Sequence, residues 1–131
     1  MSHLGRYATG IKNANREVLK MALDYLVKLR AKDGAEAATA YKDFSGYEHK
    51  ADFVYKDKQL SRGMSIFIDK DGELQFYGDP YGSEKHFNEV QTQFKQVYLA
   101  IAAVLSAKAH GFTNVQMQQT ANGSIAIQLT D

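Results

Sequence analysis

Residues 47–56 have the sequence YEHKADFVYK, in which aromatic, small and histidine side chains alternate with residues that are mostly charged. Successive side chains of an extended chain point to opposite faces, so this period of two predicts a strand with one packed face and one mostly solvated face. It is the clearest alternation in the chain. A β-sheet is therefore expected in the middle of the sequence.

Further strands are predicted on both sides of this segment. Residues 40–44 favour a strand before it, and residues 64–68 and 74–76 carry apolar side chains at alternate positions after it. Asp71-Gly72 lies between the last two runs, and Asp-Gly between two alternating segments is typical of a hairpin. The middle of the chain is therefore expected to contain four consecutive strands.

Two other segments carry apolar residues three and four positions apart, as amphipathic helices do. The first helix begins after Asn13 or Asn15, either of which can cap it, and Gly34 can end it. Residues 35–38 could instead extend it beyond a kink. The second helix begins after Ser83 and would be about 40 Å long at 1.5 Å per residue. The apolar positions of the two helices are Val18, Ala22, Tyr25 and Leu29, and Phe87, Val90, Phe94, Val97, Ile101 and Val104.

The two ends of the chain complete the predicted fold. Residues 2–12 are expected to form the first strand, and Asn122-Gly123 predicts a tight turn between two strands near the carboxyl end. The predicted order of elements is β-α-β-β-β-β-α-β-β. An antiparallel sheet with two amphipathic helices packed on one face would bury every apolar stripe, so the sequence predicts an α+β fold. No linker divides the chain, and residues 1–131 are expected to form a single domain.

Composition narrows the class of protein. The chain has 131 residues, no cysteine and a formal net charge of +1. The lack of cysteine removes disulfides and thiolate metal sites and suits a reducing compartment. The sequence has no signal-peptide pattern and no apolar run near the roughly 20 residues that cross a bilayer. A soluble protein of the cytoplasm or another reducing compartment is expected, with no membrane partner.

The small net charge hides an imbalance between the two halves of the chain. Residues 1–65 contain twelve Lys and Arg against eight Asp and Glu, and residues 66–131 contain four against seven. Nucleic-acid-binding domains commonly have an isoelectric point above about 9, whereas the value here is about 7.9. Nucleic acid is therefore not expected as a partner. Binding through the basic first half is the alternative, and it would weaken steeply with salt.

No pattern in the sequence indicates catalysis. The histidines, His3, His49, His86 and His110, lack the short spacings that build a metal site from one element. No nucleophile elbow, phosphate-binding loop or dinucleotide fingerprint occurs. No enzymatic activity, metal or cofactor is therefore expected.

A candidate ligand site lies just before the second helix and within its first turn. Glycine lets a ligand approach the backbone, tyrosine can stack on a ring, and the free amides of a helix start attract anions. The residues predicted to bind a small anionic or nucleotide-like molecule are Tyr77, Tyr81, Gly82, Ser83, Lys85 and His86. The alternative is an ordinary capped helix, because every helix start has free amides and Asp79 and Glu84 oppose an anion.

A candidate interface follows from the tyrosine content. The chain has 8 tyrosines, and tyrosine is enriched where proteins meet. The predicted interface residues are Tyr47, Tyr55 and Tyr98. The alternative is that these tyrosines close the edges of a small core. The second half of the second helix is rich in alanine, so another helix or a second subunit could approach it closely.

A family resemblance rests on three short motifs: Met1-Ser2-His3, Ala109-His110-Gly111-Phe112 and Asn122-Gly123-Ser124-Ile125. They resemble parts of the plastid and cyanobacterial proteins called hypothetical chloroplast reading frame thirty-five. The similarity covers the two ends of the chain and is not traceable over residues 35–57. It implies a compact α+β domain without an assigned activity, and it transfers no functional residue to this chain.

The predicted function is that of a non-enzymatic binding or accessory module. The lack of a catalytic set, the alanine-rich helix and the many tyrosines favour action through a protein partner or through self-association as a homo-oligomer. The alternative is a protein that sequesters or senses a small anionic or nucleotide-like ligand at the start of the second helix.

Overall fold

A five-stranded antiparallel sheet forms the centre of the computed structural model, which describes residues 5–80, 82–119 and 125–130. In chain order its strands are β1 (Gly5–Ala8), β2 (Glu36–Lys42), β3 (Glu48–Lys56), β4 (Met64–Ile68) and β5 (Leu74–Gly78). Their order across the sheet is β1-β5-β4-β3-β2. β3 confirms the strand predicted from the alternating segment.

Two α-helices pack against the sheet. They are α1 (Arg16–Leu29), between β1 and β2, and α2 (Glu84–Ala109), after β5. The side-chain oxygen of Asn15 accepts hydrogen bonds from the amides of Glu17 and Val18 at the start of α1. This cap satisfies two of the amides that the first turn leaves without a helical partner.

Of the two ends considered for the first helix, the structure shows the earlier one, before Gly34. α1 ends at Leu29, and a short 3-10 helix, Ala31–Asp33, follows. Gly34 then turns the chain with a φ of 73°, an angle at which glycine avoids the clash of a Cβ. Residues 35–38 do not extend the helix, because β2 begins at Glu36 and pairs with β3.

Both helices pack against the same face of the sheet and share one apolar core with it. α1 contributes Val18, Leu19, Ala22, Leu23 and Leu26, α2 contributes Phe87, Val90, Phe94, Val97, Tyr98 and Ile101, and the strands contribute Tyr55, Met64, Ile66, Leu74 and Phe76. Burial of each large apolar side chain stabilises the fold by about 1.5–3 kcal/mol. The predicted α+β fold, with two helices on one face of an antiparallel sheet, is confirmed.

A separate two-stranded antiparallel sheet follows α2. It consists of β6 (Asn114–Gln119) and β7 (Ile125–Thr130), so the described order of elements is the predicted one. The turn predicted at Asn122-Gly123 lies outside the described residues, as do residues 2–4 of the predicted first strand. Among the described helices, none is both long enough and apolar enough to span a membrane.

The ladder between β3 and β4 is short. It joins Val54 to Ser65 and Tyr55 to Met64, and it stops there although β3 has 9 residues and β4 has 5. β4 pairs with β5 along its whole length. The sheet is therefore split over the rest of β3 and β4.

The β2–β3 hairpin bends over the sheet. A bulge interrupts the pairing of the two strands between Ala38 and Ala40, and a bulge bends and twists the strand that carries it. The ring of Tyr41 on β2 lies 5.7 Å from the ring of Tyr77 on β5, although β3 and β4 separate these strands in the sheet. The sheet therefore curls back on itself at the split.

Gly63 lies where the bent hairpin meets the start of β4. Next to it, the amide of Lys42 donates a hydrogen bond to the carbonyl of Arg62 at 2.8 Å. Gly63 has a φ of 95°, and a Cβ there would lie 2.8 Å from Cγ1 of Val54 and 3.2 Å from Cβ of Tyr41. Only glycine combines this backbone angle with this close approach.

Gly63→Ala should therefore destabilise the protein more than the matched change Gly46→Ala. Gly46 also has a positive φ, of 86°, but a Cβ there would meet no atom within 4 Å. We expect Gly46→Ala to cost about 1 kcal/mol from backbone strain, and Gly63→Ala about 2–4 kcal/mol from strain and overpacking. Urea unfolding measures both. Equal losses would mean that the residues around Gly63 yield to the extra methyl group.

Candidate functional site

A cleft of about 630 Å³ lies in the split between β3 and β4. We call it the β3–β4 cleft. Residues 50–53 of β3 form one wall, and residues 65–68 of β4 form the other. The lining is completed by Arg6, Arg16, Leu19, Tyr41 and Tyr77. The split sheet therefore produces a cavity to which β1, β2, β5 and α1 also contribute.

The walls of the cleft are strand edges rather than strand faces. Consecutive side chains alternate between the two faces of a sheet, so four consecutive residues border one space only along an edge. Continued in its register, the ladder between these strands would next pair Phe53 with Ile66, Asp52 with Phe67 and Ala51 with Ile68. All six of these residues line the cleft. The cleft thus replaces three pairs of the ladder, and its walls present backbone amides and carbonyls as well as side chains.

Basic side chains outnumber acidic ones in the lining. The charged lining residues are Arg6, Arg16, Lys50 and Asp52. Nη1 of Arg16 lies 3.1 Å from Oδ2 of Asp52, and its guanidinium carbon lies 4.7 Å from the centre of the Phe53 ring. A guanidinium over an aromatic face is attracted by the ring and is held in place by it.

Arg6 has the same arrangement on the β4 side of the cleft. Its Nη2 lies 3.4 Å from Oδ2 of Asp69, and its guanidinium carbon lies 5.4 Å from the centre of the Phe67 ring. Each arginine thus meets one carboxylate through one nitrogen, while guanidinium carries five N–H donors. Two oriented groups of donors therefore border the same cavity.

Two tyrosines close another side of the cleft. Tyr41 stacks on the ring of His49, with the ring centres 5.1 Å apart, and meets Tyr77 edge to face. Burial raises the pKa of Tyr41, and the neighbouring Tyr77 and Asp43 raise it further. Its hydroxyl therefore stays protonated near neutral pH and can donate a hydrogen bond into the cleft.

A second polar group lies buried between the end of β3 and the start of α2. Oδ2 of Asp57 accepts hydrogen bonds from the hydroxyl of Tyr55 at 2.7 Å and from Nε2 of His86 at 2.6 Å. Oδ1 accepts from the amides of Gln59 and Leu60. We call Tyr55, Asp57 and His86 the Asp57 cluster. Because a carboxylate only accepts, Nε2 of His86 carries the proton of its bond.

The Asp57 cluster keeps its carboxylate charged. Burial raises the pKa of Asp57, but the hydrogen bonds from His86, Tyr55 and the amide of Leu60 outweigh burial and hold the pKa below its usual value. Burial and the bond to Asp57 raise the pKa of Tyr55, so its hydroxyl remains a donor. The cluster is therefore a fully hydrogen-bonded charge inside the fold.

The cluster also belongs to a possible set of metal ligands. Ligand atoms of Asp33, Asp57 and His86 all lie within 4.8 Å of one another. These ligand atoms already have partners, however, since Asp57 and His86 are hydrogen-bonded to each other and Oδ2 of Asp33 lies 2.9 Å from Nη2 of Arg30. Arg30 places a positive charge where a cation would bind. The arrangement suits a hydrogen-bonded network better than a metal site, and the expectation that the chain holds no metal stays a prediction.

The residues predicted to bind a ligand do not gather in one pocket. Tyr77 lies on β5 and lines the β3–β4 cleft. Ser83 is the first residue before α2, but its hydroxyl donates to the carbonyl of Gln59 at 3.0 Å and does not cap the helix. Tyr77 and Ser83 therefore belong to different surfaces.

The other members of that set are also dispersed. Gly82 is exposed, and Lys85 borders an open groove along α2 that contains Arg30. His86 is buried in the Asp57 cluster, where it cannot meet a ligand at the surface. Tyr81 lies outside the described residues. Of the described members, only Tyr77 lies in the β3–β4 cleft.

The structure places two of the three tyrosines predicted for an interface inside the core. Tyr55 and Tyr98 are buried in the core, with 0% and 4% of their surface exposed. The hydroxyl of Tyr98 accepts a hydrogen bond from the amide of Asn15 at 2.8 Å, and a buried tyrosine commonly finds such a partner. Tyr47 is 72% exposed and, with Phe44, lies where β2 turns into β3. Of the three tyrosines predicted for an interface, only Tyr47 is exposed at the surface.

Sequence reasoning missed the basic residues of the cleft. Arg6, Arg16 and Lys50 come from β1, α1 and β3, and no short motif links them. Their mild excess in the first half of the chain was visible, but only the curl of the sheet brings them to one cavity. For the same reason, the sequence identified Phe53 and Phe67 only as strand residues and gave no sign that they line a cavity.

Comparison with models of known protein families, with curated proteins and with solved structures finds no match to this chain. The resemblance of its two ends to the plastid and cyanobacterial family stays a prediction. The function is therefore argued from the geometry of the chain's own residues.

Asp57→Asn should destabilise the protein at pH 7 and flatten its response to acid. The pKa of Asp57 is lower in the folded protein than in the unfolded chain, so its contribution is present above about pH 4 and is lost as the pH falls through the folded value. The neutral amide leaves the donors of Tyr55 and His86 imperfectly paired, at a cost of about 3 kcal/mol.

The measurement is urea unfolding from pH 7 down to pH 3, with Asp24→Asn as the control. Asp24 is exposed and meets only Lys20 of its own helix, so its change should alter stability by less than about 0.5 kcal/mol. A variant at Asp57 that keeps the acid sensitivity of the parent would contradict the role assigned to this carboxylate.

Proposed function

We propose that the chain is a non-enzymatic binding module that recognises an anionic partner in the β3–β4 cleft. The observation that carries this proposal is the pair of arginines, Arg6 and Arg16, that border one cavity from opposite sides. Each is held over a phenylalanine ring and meets one carboxylate. Donors that are already oriented lose little conformational freedom when an anion binds.

The rest of the lining supports the same class of partner. Lys50 adds a third positive charge, and Asp52 supplies the one negative charge of the lining. The protonated hydroxyl of Tyr41 adds a neutral donor. Phe53, Phe67 and Tyr77 add aromatic surface that can pack on an apolar or planar part of the partner. The cleft is therefore suited to a partner that combines negative charge with such surface.

Arg16→Gln should weaken the binding of anions to the cleft. We expect a loss of about 10- to 100-fold, because a charged hydrogen bond contributes about 1.5–3 kcal/mol. The probes are a panel of aromatic carboxylates, mononucleotides and short glutamate peptides, measured by isothermal titration calorimetry at 50 and 300 mM salt. Affinity should fall with salt for the parent protein.

Lys28→Gln is the matched control, because Lys28 is exposed on α1 and does not line the cleft. It removes one positive charge from the same helix and should leave binding nearly unchanged. The proposal fails if no anion of the panel binds, or if both variants weaken binding equally through net charge alone.

A second copy of the chain is the second candidate partner, through the β6–β7 sheet. Within the described residues, β6 and β7 pair only with each other, so each has an open edge. Residues 109–130 contain no Lys, Arg, Asp or Glu, and uncharged open edges are prone to pair with another chain. Leu99 and Leu105 on α2 are 55% and 40% exposed and would add apolar contact area.

Gln116→Lys on β6 should raise the dissociation constant of such a dimer at least tenfold. One lysine from each copy would then lie in the uncharged strand pair, where burying or juxtaposing like charges destabilises it. Light scattering between 1 and 100 µM measures the mass of the parent and the variant, and Gln96→Lys on the exposed face of α2 is the control. A parent protein that stays monomeric throughout this range excludes self-association.

A further inference from the structure

We propose that the anionic partner of the β3–β4 cleft is an extended segment of another polypeptide with acidic side chains at adjacent positions. The inference rests on the proposed function, since it names the chemical class of the partner that binds in the same cleft. It depends on the backbone of the two walls rather than on their charge alone.

The cleft is bordered by strand edges that have no partner strand on that side. The ladder between β3 and β4 stops after two pairs, and the three pairs that would follow lie on opposite walls of the cleft. Residues 66–68 remain paired with β5 on their other side, so their free edge faces β3. The open edge of β4 is a template for an added strand, the mode by which many domains bind extended peptides. Residues 51–53 of β3 lie opposite Thr39 alone, where the β2–β3 ladder is interrupted, so the β3 wall is an irregular edge.

The length of the cleft walls fits a short extended peptide. Each wall comprises four consecutive residues, which at about 3.3 Å per residue makes an edge about 13 Å long. A segment of about four extended residues would match that length. The volume of about 630 Å³ would also suit a small molecule. A small anion, however, could satisfy the arginines but would leave the amides and carbonyls of both walls to water.

The two arginines lie on opposite faces of the sheet. Arg16 belongs to α1, which covers the core face of the sheet. Arg6 pairs in register with Tyr77, and their neighbours Tyr7 and Phe76 point to the core, so Arg6 lies on the opposite face. Successive side chains of an inserted strand also point to opposite faces. Two adjacent acidic residues would therefore meet Arg16 on one face and Arg6 on the other.

The experiment uses the full chain and an array of hexapeptides with Glu-Glu at the two central positions and varied outer residues. A second array has Gln-Gln at the centre, and the dipeptide acetyl-Glu-Glu-amide serves as the small anion. The strongest Glu-Glu peptide is then resynthesised with a single N-methyl group at each backbone nitrogen in turn. Dissociation constants are measured by fluorescence polarisation or calorimetry.

The expected result has two parts. Glu-Glu hexapeptides bind at least tenfold more tightly than their Gln-Gln counterparts and than the dipeptide. N-methylation weakens binding at least tenfold at alternate residues and much less at those between, because the amides of a strand point alternately to its two sides and, of the two walls, only the β4 wall is a regular strand edge. Arg16→Gln reduces the preference for Glu over Gln, and Lys28→Gln leaves it unchanged.

Two outcomes would overturn the inference, and they are distinguishable. If the dipeptide, nucleotides or aromatic carboxylates bind as tightly as the hexapeptides, or if N-methylation acts equally at every position, the partner is a small anion and the proposed function stands. If neither peptides nor small anions bind, the inference and the proposed function both fail.

Discussion

The buried carboxylate of Asp57 joins the helix layer to the two residue pairs that still link β3 and β4. β3 and β4 are linked by only two residue pairs, and Tyr55 belongs to one of them. The hydroxyl of Tyr55 donates to Asp57, which accepts in turn from His86 on α2. A charge buried in the fold is tolerable only when its hydrogen bonds are made. The bonds of Asp57 thus hold β3, the turn after it and α2 in a single arrangement, while the rest of β3 is free to diverge from β4.

That divergence creates the β3–β4 cleft. An unbroken ladder would pair the backbone of β3 and β4 along their shared length and would leave a flat sheet whose outer face held no cavity. The extra residues of β3 at the interruption of the β2–β3 ladder and the close approach at Gly63 instead let the β2–β3 hairpin curl until Tyr41 reaches Tyr77. The same curl brings Arg6 and Arg16 to one cavity from elements that are distant in the chain. The local loss of strand pairing and the appearance of a positively charged cleft are one structural event.

Local patterns predicted most of the fold and little of the site. The alternation in β3 and the apolar stripes of α1 and α2 depend on near neighbours in the chain, and the sequence predicted both. For the cap of α1 the sequence offered Asn13 or Asn15, and the structure shows Asn15. The same patterns could not predict that the β3–β4 ladder stops after two pairs, because strand alternation is identical in paired and unpaired edges. His86 shows the other limit. It follows a helix start and looked available to an anion, but its neighbour across the fold is Asp57, 29 residues earlier in the chain, and that contact buries it.

The place of β1 at the edge of the sheet has a consequence for the order in which the protein can assemble. β1 pairs with β5, so residues about seventy positions apart must meet before the sheet is complete. Closing so long a loop is slow compared with forming local hairpins and helices. During synthesis the first strand waits until β5 has emerged, and Arg6 reaches the cleft only when that pairing has formed. A truncated or partly folded chain would therefore carry the β2–β3 hairpin without a finished cleft, and the complete cleft is a property of the fully paired sheet alone.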